Sequence, residues 1–181
     1  MQADTLEELF DYSRMFERSK PVKGGRVLVI TNGGGLGVIA VDELSMNGLE
    51  LAELSSATKE KLRIKLPPTV NIKNPLDLVG DAGDESYKVS IEAALADENV
   101  DVLLVILLPQ APGITINIIK IIKNLYEKST KPLCLIIPGG SFADTLKREV
   151  EEDIPSFSSS TNAVLSIKEL VEYYKISKES E

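Results

Sequence analysis

A chain of 181 residues, 43% of them hydrophobic, carries enough apolar side chain for one domain with a real core. Its formal net charge of −8, with no run of Lys or Arg, argues against nucleic acid and anionic membrane surfaces, which are bound through clustered positive charge. Histidine is absent, so the usual general base, metal ligand and phosphoryl carrier near neutral pH is missing, and Cys134 is the only cysteine.

The first twenty residues are acidic and have no apolar core stretch, so they do not read as a signal peptide. Residues 5–18 have Leu6, Leu9, Phe10 and Phe16 at helical spacing. "SKPVKGG" then breaks the helix, and residues 1–22 read as a helix with a linker ahead of the main domain, 23–175. "RVLVIT" reads as a buried strand, 36–47 as a helix closed by Gly48, and "LELAELS" as an alternating strand. A short helix over 58–66 stops at Pro67–Pro68, and "TVNIKNPLDLVG" is mainly loop. "DLVGDAGDES" lacks the ligand spacing of a calcium loop and reads as a turn into a helix over 84–97, with Val89, Ala93 and Ala94 inward.

"VDVLLVILLP" is the most apolar stretch, and its unbroken branched residues predict a strand covered on both faces. An isoleucine-rich helix follows over 115–128, with more apolar side chains than one buried stripe needs; it reads either as a face for a second copy of the chain or as an ordinary helix buried against a large sheet. "PLCLIIP" is a second buried strand and makes Cys134 a packing residue; an unpaired thiol fits a reducing cytoplasm. A helix over 142–152, a short strand "IPSFS" and a closing helix over 161–174 complete the pattern, with 176–181 expected as a disordered tail. No stretch has the roughly 20 apolar residues of a membrane span.

Strands alternating with helices predict a doubly wound parallel sheet of flavodoxin-like order 2-1-3-4-5, with strands 27–30 and 102–107 adjacent. The crevice of that order opens beyond the first and third strands. It would be lined by "TNGGGLG" and by "PQAPGIT", which brings Gln110 and Gly113, with "IPGGSF" beside them.

The glycine loop admits several readings. Gly35, Gly37 and Ala40 match a dinucleotide fingerprint with Glu53 as ribose acid, but Asn32, Gly33 and Gly34 stand between strand and fingerprint and spoil the register. A phosphate loop of the Lys-Ser/Thr type is excluded. What remains is an anion site built from backbone N–H groups at a helix start, or a tight turn needing positive φ, and spacing alone does not choose.

Several segments carry a resemblance: "ADTLEELFD", "GGRVLVITNGGGLGVIAVDEL", "NPLDLVGDAGDESY", "ALADENVDVLLVILLPQAPG" and "IPSFSSSTNAVLSIKELVEYY". Together they resemble the NDP-forming acyl-CoA synthetases, in particular the ADP-forming acetate–CoA ligases, over almost the whole chain. The resemblance implies the carboxy-terminal flavodoxin-fold domain of the alpha region. It implies an enzyme in which an acyl phosphate forms and a histidine on a mobile loop carries the phosphoryl group to ADP. That histidine, the CoA site and the ATP-grasp fold with its ADP or ATP and Mg belong to other domains, so this chain is expected to hold no cofactor and to be inactive alone, as a fragment or a separate subunit. The resemblance places Asn32, Gly33, Gly34, Gly35 and Gly37 in the motif that faces the phosphohistidine, with Leu36 where relatives often have proline. Asn74, Pro75 and Asp77 match an "NPxD" motif, whose Asn and Asp are capping and turning residues or crevice residues. A stand-alone anion-binding or interaction module is the alternative function, and a dinucleotide-dependent oxidoreductase fragment the third.

Overall fold

The computed structural model describes residues 2–179. Seven strands and seven helices alternate in these residues: α1 (Leu6–Arg18), β1 (Arg26–Thr31), α2 (Gly34–Met46), β2 (Glu50–Leu51), α3 (Ser56–Lys65), β3 (Asn71–Ile72), β4 (Leu76–Asp77), α4 (Asp84–Ala96), β5 (Val102–Ile106), α5 (Asn117–Lys128), β6 (Leu133–Ile136), α6 (Gly140–Val150), β7 (Ser156–Phe157) and α7 (Ser160–Glu179). The parallel path β2-β1-β5-β6-β7 is the expected order, and β1 lies against β5 in register from Val27↔Val102 to Thr31↔Ile106. Period-two alternation divides the central strands between two cores. Leu28, Ile30, Leu103 and Val105 face α3 to α6, while Val27, Val29, Leu104 and Ile106 face α1, α2 and α7.

The free edge of β1 departs from the five-strand expectation. β2 pairs only with its first half, at Arg26 and Val27, and β4 pairs with its last two residues, Ile30 and Thr31. β3 and β4 form an antiparallel hairpin around Asn74 and the cis Asn74–Pro75 bond, where mainly loop was expected. Asn74 fills the gap between the two half-edges. Its Oδ1 accepts from the Val29 N–H at 3.1 Å, and its Nδ2 donates to the carbonyls of Val27 at 2.8 Å and Ala52 at 3.1 Å. One side-chain amide thus does what a strand's peptide group would do, and the edge has no orphan donor at that point.

A helix stands near each end of the described residues, and at the C-terminal end the tail expectation is corrected. On α1 the buried residues are Asp11, Tyr12 and Met15, while Leu6, Leu9 and Phe10 are exposed. Asp11 turns inward because its carboxylate takes a hydrogen bond from Asn162 Nδ2 at 2.7 Å on α7 and pairs with Arg14 at 2.8 Å. Phe16 does pack as expected, edge-on to Tyr173 of α7. At the other end α7 runs to Glu179, so 176–179 are helical; Ser180 and Glu181 of the expected tail lie outside the described residues.

Candidate functional site

The glycine segment emerges from β1 beside β5 and enters α2 directly. α2 begins at Gly34, two residues before the predicted start, so Gly34, Gly35 and Gly37 are helical residues. No residue of 33–37 has a positive φ; the positive-φ glycines are Gly48, Gly139 and Gly140. Left-handed backbone is therefore not what the glycines supply. Three of them supply room. A Cβ on Gly33 would stand 2.8 Å from Leu108 Cδ1, one on Gly34 2.5 Å from Asp77 Oδ2, and one on Gly37 2.7 Å from Thr31 Cγ2 and 3.1 Å from Pro75 Cβ. The two motifs are thus complementary surfaces, with Pro75 and Asp77 of the hairpin lying in the notches left by Gly37 and Gly34. Gly35 differs. It is exposed, it has ordinary helical backbone, and nothing stands within 4 Å of its absent Cβ.

α2 has no side-chain cap at Gly33 and no acidic residue in its first turn. The first amide bonded back into the helix is Gly37 N–H, to the Gly33 carbonyl at 3.1 Å. The N–H groups of Gly34, Gly35 and Leu36 consequently have no acceptor among the described residues, and they point out of the positive end of the helix dipole. The nearby Asp77 carboxylate gives one oxygen, Oδ1, to the Val79 N–H at 3.0 Å and presses Oδ2 against Gly34.

Asn32 does not line this surface. It is 4% exposed, and its amide pairs with the backbone of Leu108, accepting from N–H at 2.9 Å and donating to C=O at 3.0 Å. This closes β1 onto β5 just beyond the ends of both strands. Tyr87 of α4, fully buried, completes the clamp: its hydroxyl accepts from the Asn32 N–H at 3.0 Å and lies 2.7 Å from the Ile106 carbonyl. Burial pushes the Tyr87 phenol far up and keeps it neutral. Tyr87 was not singled out in the sequence, although it continues the inward spacing of Ile91 and Ala94.

The expected crevice residues separate. Asn74 is the edge plug just described, and Asp77 alone of the four reaches α2. Gly113 packs backbone to backbone on Gly83, its carbonyl accepting from the Asp84 N–H at 3.1 Å. Asp84 then holds Thr115 through N–H at 3.0 Å and Oγ1 at 2.6 Å. Gln110 bridges to the loop after β6, donating to the Gly139 carbonyl at 3.0 Å. Glu53, the acid of the dinucleotide reading, is an exposed residue ion-paired to Lys59 at 2.9 Å. Cys134 is fully buried between β5 and α7, and burial raises its thiol pKa, which leaves it a packing residue.

The profile of the Ligase-CoA domain matches residues 27–121, which include β1, the glycine segment, the hairpin and β5. The alpha subunit of an ADP-forming acetate–CoA ligase, form II, from Pyrococcus furiosus is 33% identical over 180 residues, 96% of this chain and 39% of that protein. An ADP-forming acetate–CoA ligase, form I, from Archaeoglobus fulgidus is 33% identical over 177 residues, 98% of this chain and 25% of that one. Among solved structures, acetyl-coenzyme A synthetase 1 of Ca. Korarchaeum cryptofilum in complex with phosphate and ADP superposes with a TM-score of 0.87 at 26% identity, over 98% of this chain and 39% of that chain. A Pyrococcus horikoshii crystal structure superposes at 0.88 with 32% identity, over 96% and 41%. This chain thus spans between a quarter and two fifths of these relatives, and across that span it belongs to the Ligase-CoA domain family.

Proposed function

We propose that this chain is the phosphoryl-receiving domain of an ADP-forming acyl-CoA ligase. The whole reaction would convert acyl-CoA, phosphate and ADP to acid, CoA and ATP. CoA leaves as phosphate attacks the acyl carbon. The acyl phosphate then gives its phosphoryl group to a histidine and releases the acid, and the phosphohistidine passes the group to ADP. This chain has no histidine and takes no covalent part. Its share is to hold the phosphorylated side chain of another domain at the start of α2, where fixed N–H groups and the helix dipole stabilise negative charge without reorganising. CoA and the nucleotide with its Mg belong to the other domains in this reading.

The observation that carries the reading is Gly35. A glycine in the middle of a helix costs about 0.5–1 kcal/mol relative to alanine, and one in the first turn, where Gly35 stands, costs less. The chain's own packing explains Gly33, Gly34 and Gly37 but gives no reason for Gly35. A group arriving from outside, needing close approach to three free amides, supplies one. The Asp77 carboxylate beside Gly34 speaks against a stand-alone sensor of free anions, because a mobile anion meets its repulsion with no other anchor. A phosphoryl group tethered to a docked domain has that anchor.

The test is complementation. The chain alone should form no acetyl-CoA from acetate, CoA and ATP. Grafted in place of the matched quarter of the Archaeoglobus fulgidus ligase, it should restore turnover and acid-labile histidine phosphorylation. Acyl-CoA synthesis by the chain alone, or a folded graft that never phosphorylates, contradicts the proposal.

A further inference from the structure

We infer that the outer face of α2 is the docking surface for the domain that brings the phosphorylated side chain; this rests on the function proposed above. α2 is apolar nearly all round. Gly37, Ala40 and Leu44 are buried against the sheet and α7. On the opposite side Val38 is 53% exposed, Ile39 50% and Met46 85%, and they share one face with Gly35 and Asp42. A surface helix ordinarily shows solvent a charged face. This one contains no Lys or Arg in Gly34–Met46, and Asp42 is the only charge in its outer stripe.

Two features say what covers the stripe. The first is Asp42. A second copy of the chain packed by a two-fold axis over the middle of the stripe would set Asp42 against its own copy, two like charges without a cation on α2 to compensate. The chemistry instead calls for a different surface, apolar and carrying a Lys or Arg opposite Asp42. The second is continuity. Gly35, with its open Cβ position, is the N-terminal end of the same face, so a domain lying on Val38, Ile39 and Met46 has its edge at the free amides. A domain delivering a tethered anion to Gly35 reaches it from the end of this face, and the relatives extend well beyond the part matched by this chain. Docking surface and anion site are then successive turns of one helix, so burial fixes the angle at which the charge meets the dipole.

Thiol accessibility tests this. Cys134 is fully buried, so Ile39→Cys provides one reactive thiol in the chain, and Ile64→Cys, at a position 78% exposed on α3, is the control. Labelling is read by mass spectrometry at the substituted peptide, in the isolated chain and in the Archaeoglobus fulgidus graft. In the isolated chain both positions should label at similar rates. In the graft, labelling at position 39 should slow by about tenfold or more, the factor given by about 1.4 kcal/mol of protecting contact, while position 64 is unchanged. Asp42→Lys in the graft should restore labelling at 39. Equal labelling at 39 in chain and graft overturns the proposal. So does a concentration-dependent dimer of the isolated chain in which position 39 is already protected, which would make the second copy the occupant. Histidine phosphorylation is measured in parallel. Protection without phosphorylation retains the docking face and rejects the phosphoryl role, and phosphorylation with position 39 open does the reverse.

Discussion

α2 and α5 are both short, apolar helices, and in the sequence α5 looks the more unusual of the two. The structure inverts that impression. α5 lays Ile118, Ile119, Ile122 and Tyr126 on the sheet and turns Lys120, Asn124 and Lys128 to solvent. Of its flanking isoleucines only Ile116 is left substantially exposed, so the apolar excess that suggested a second copy is absorbed inside the chain. α2 has as many large apolar side chains as α5, yet three of them face solvent. The lesson is that the phase of apolar residues around the helix, and not their number, separates a helix whose apolar side chains are covered by its own fold from one that leaves them exposed.

The comparison breaks first on stability. Ile122→Ala should destabilise by about 2–5 kcal/mol in denaturant unfolding, because a buried side chain leaves a cavity. Ile39→Ala should stay within about 0.5 kcal/mol, because it removes atoms that face water. Equal losses would mean that α2 is packed in solution in a way the isolated chain does not explain.

A sharper version lies between adjacent residues of α2. Gly34→Ala places a methyl group into the Asp77 carboxylate and should cost about 1–3 kcal/mol, as overpacking does. Gly35→Ala meets nothing and should stabilise by up to about 1 kcal/mol. If both alanines destabilise alike, Gly35 has a packing role and the argument built on it fails.

A smaller effect involves neither helix. Asp101 receives Arg26 through two side-chain hydrogen bonds at 2.8 and 2.9 Å and the Arg26 backbone N–H at 3.1 Å. Burial alone would raise its pKa, but these bonds outweigh burial and hold it below the ordinary value. A depressed folded pKa means stability fully present above about pH 4, the unfolded carboxyl value, and lost as pH falls through the folded value. Asp101→Asn should therefore flatten the acid limb of a stability–pH curve and leave the difference between Ile122→Ala and Ile39→Ala unchanged at neutral pH.

The sheet order was legible because β1, β5 and β6 are apolar on both faces, a pattern that two-sided covering alone requires. The free edge of β1 was not. β2 and β4 have two residues each, and what joins them is the Asn74 side chain, which leaves no periodicity to read. The inner face of α1 was not legible, because the polar Asp11 is buried by a partner 151 residues away. The glycine segment was legible as a candidate, but the packing reasons for its glycines were not accessible, since each depends on a neighbour distant in sequence: Leu108 for Gly33, Asp77 for Gly34, Pro75 for Gly37. Asn32 looked like a ligand residue because the backbone of Leu108 that occupies it cannot be seen from its own stretch of chain.

The most direct measurement of the central claim is histidine phosphorylation in the Archaeoglobus fulgidus graft carrying Gly35→Val. A Cβ at this exposed position meets nothing within 4 Å in the chain itself, so the melting temperature should be little changed. If α2 receives the phosphoryl group at its free amides, the branched side chain blocks the approach, and the rate of phosphohistidine formation should fall by about a hundredfold to a thousandfold, the range lost when an oxyanion-binding donor is removed. Phosphorylation at the rate of the unsubstituted graft, in a folded protein, would contradict the account.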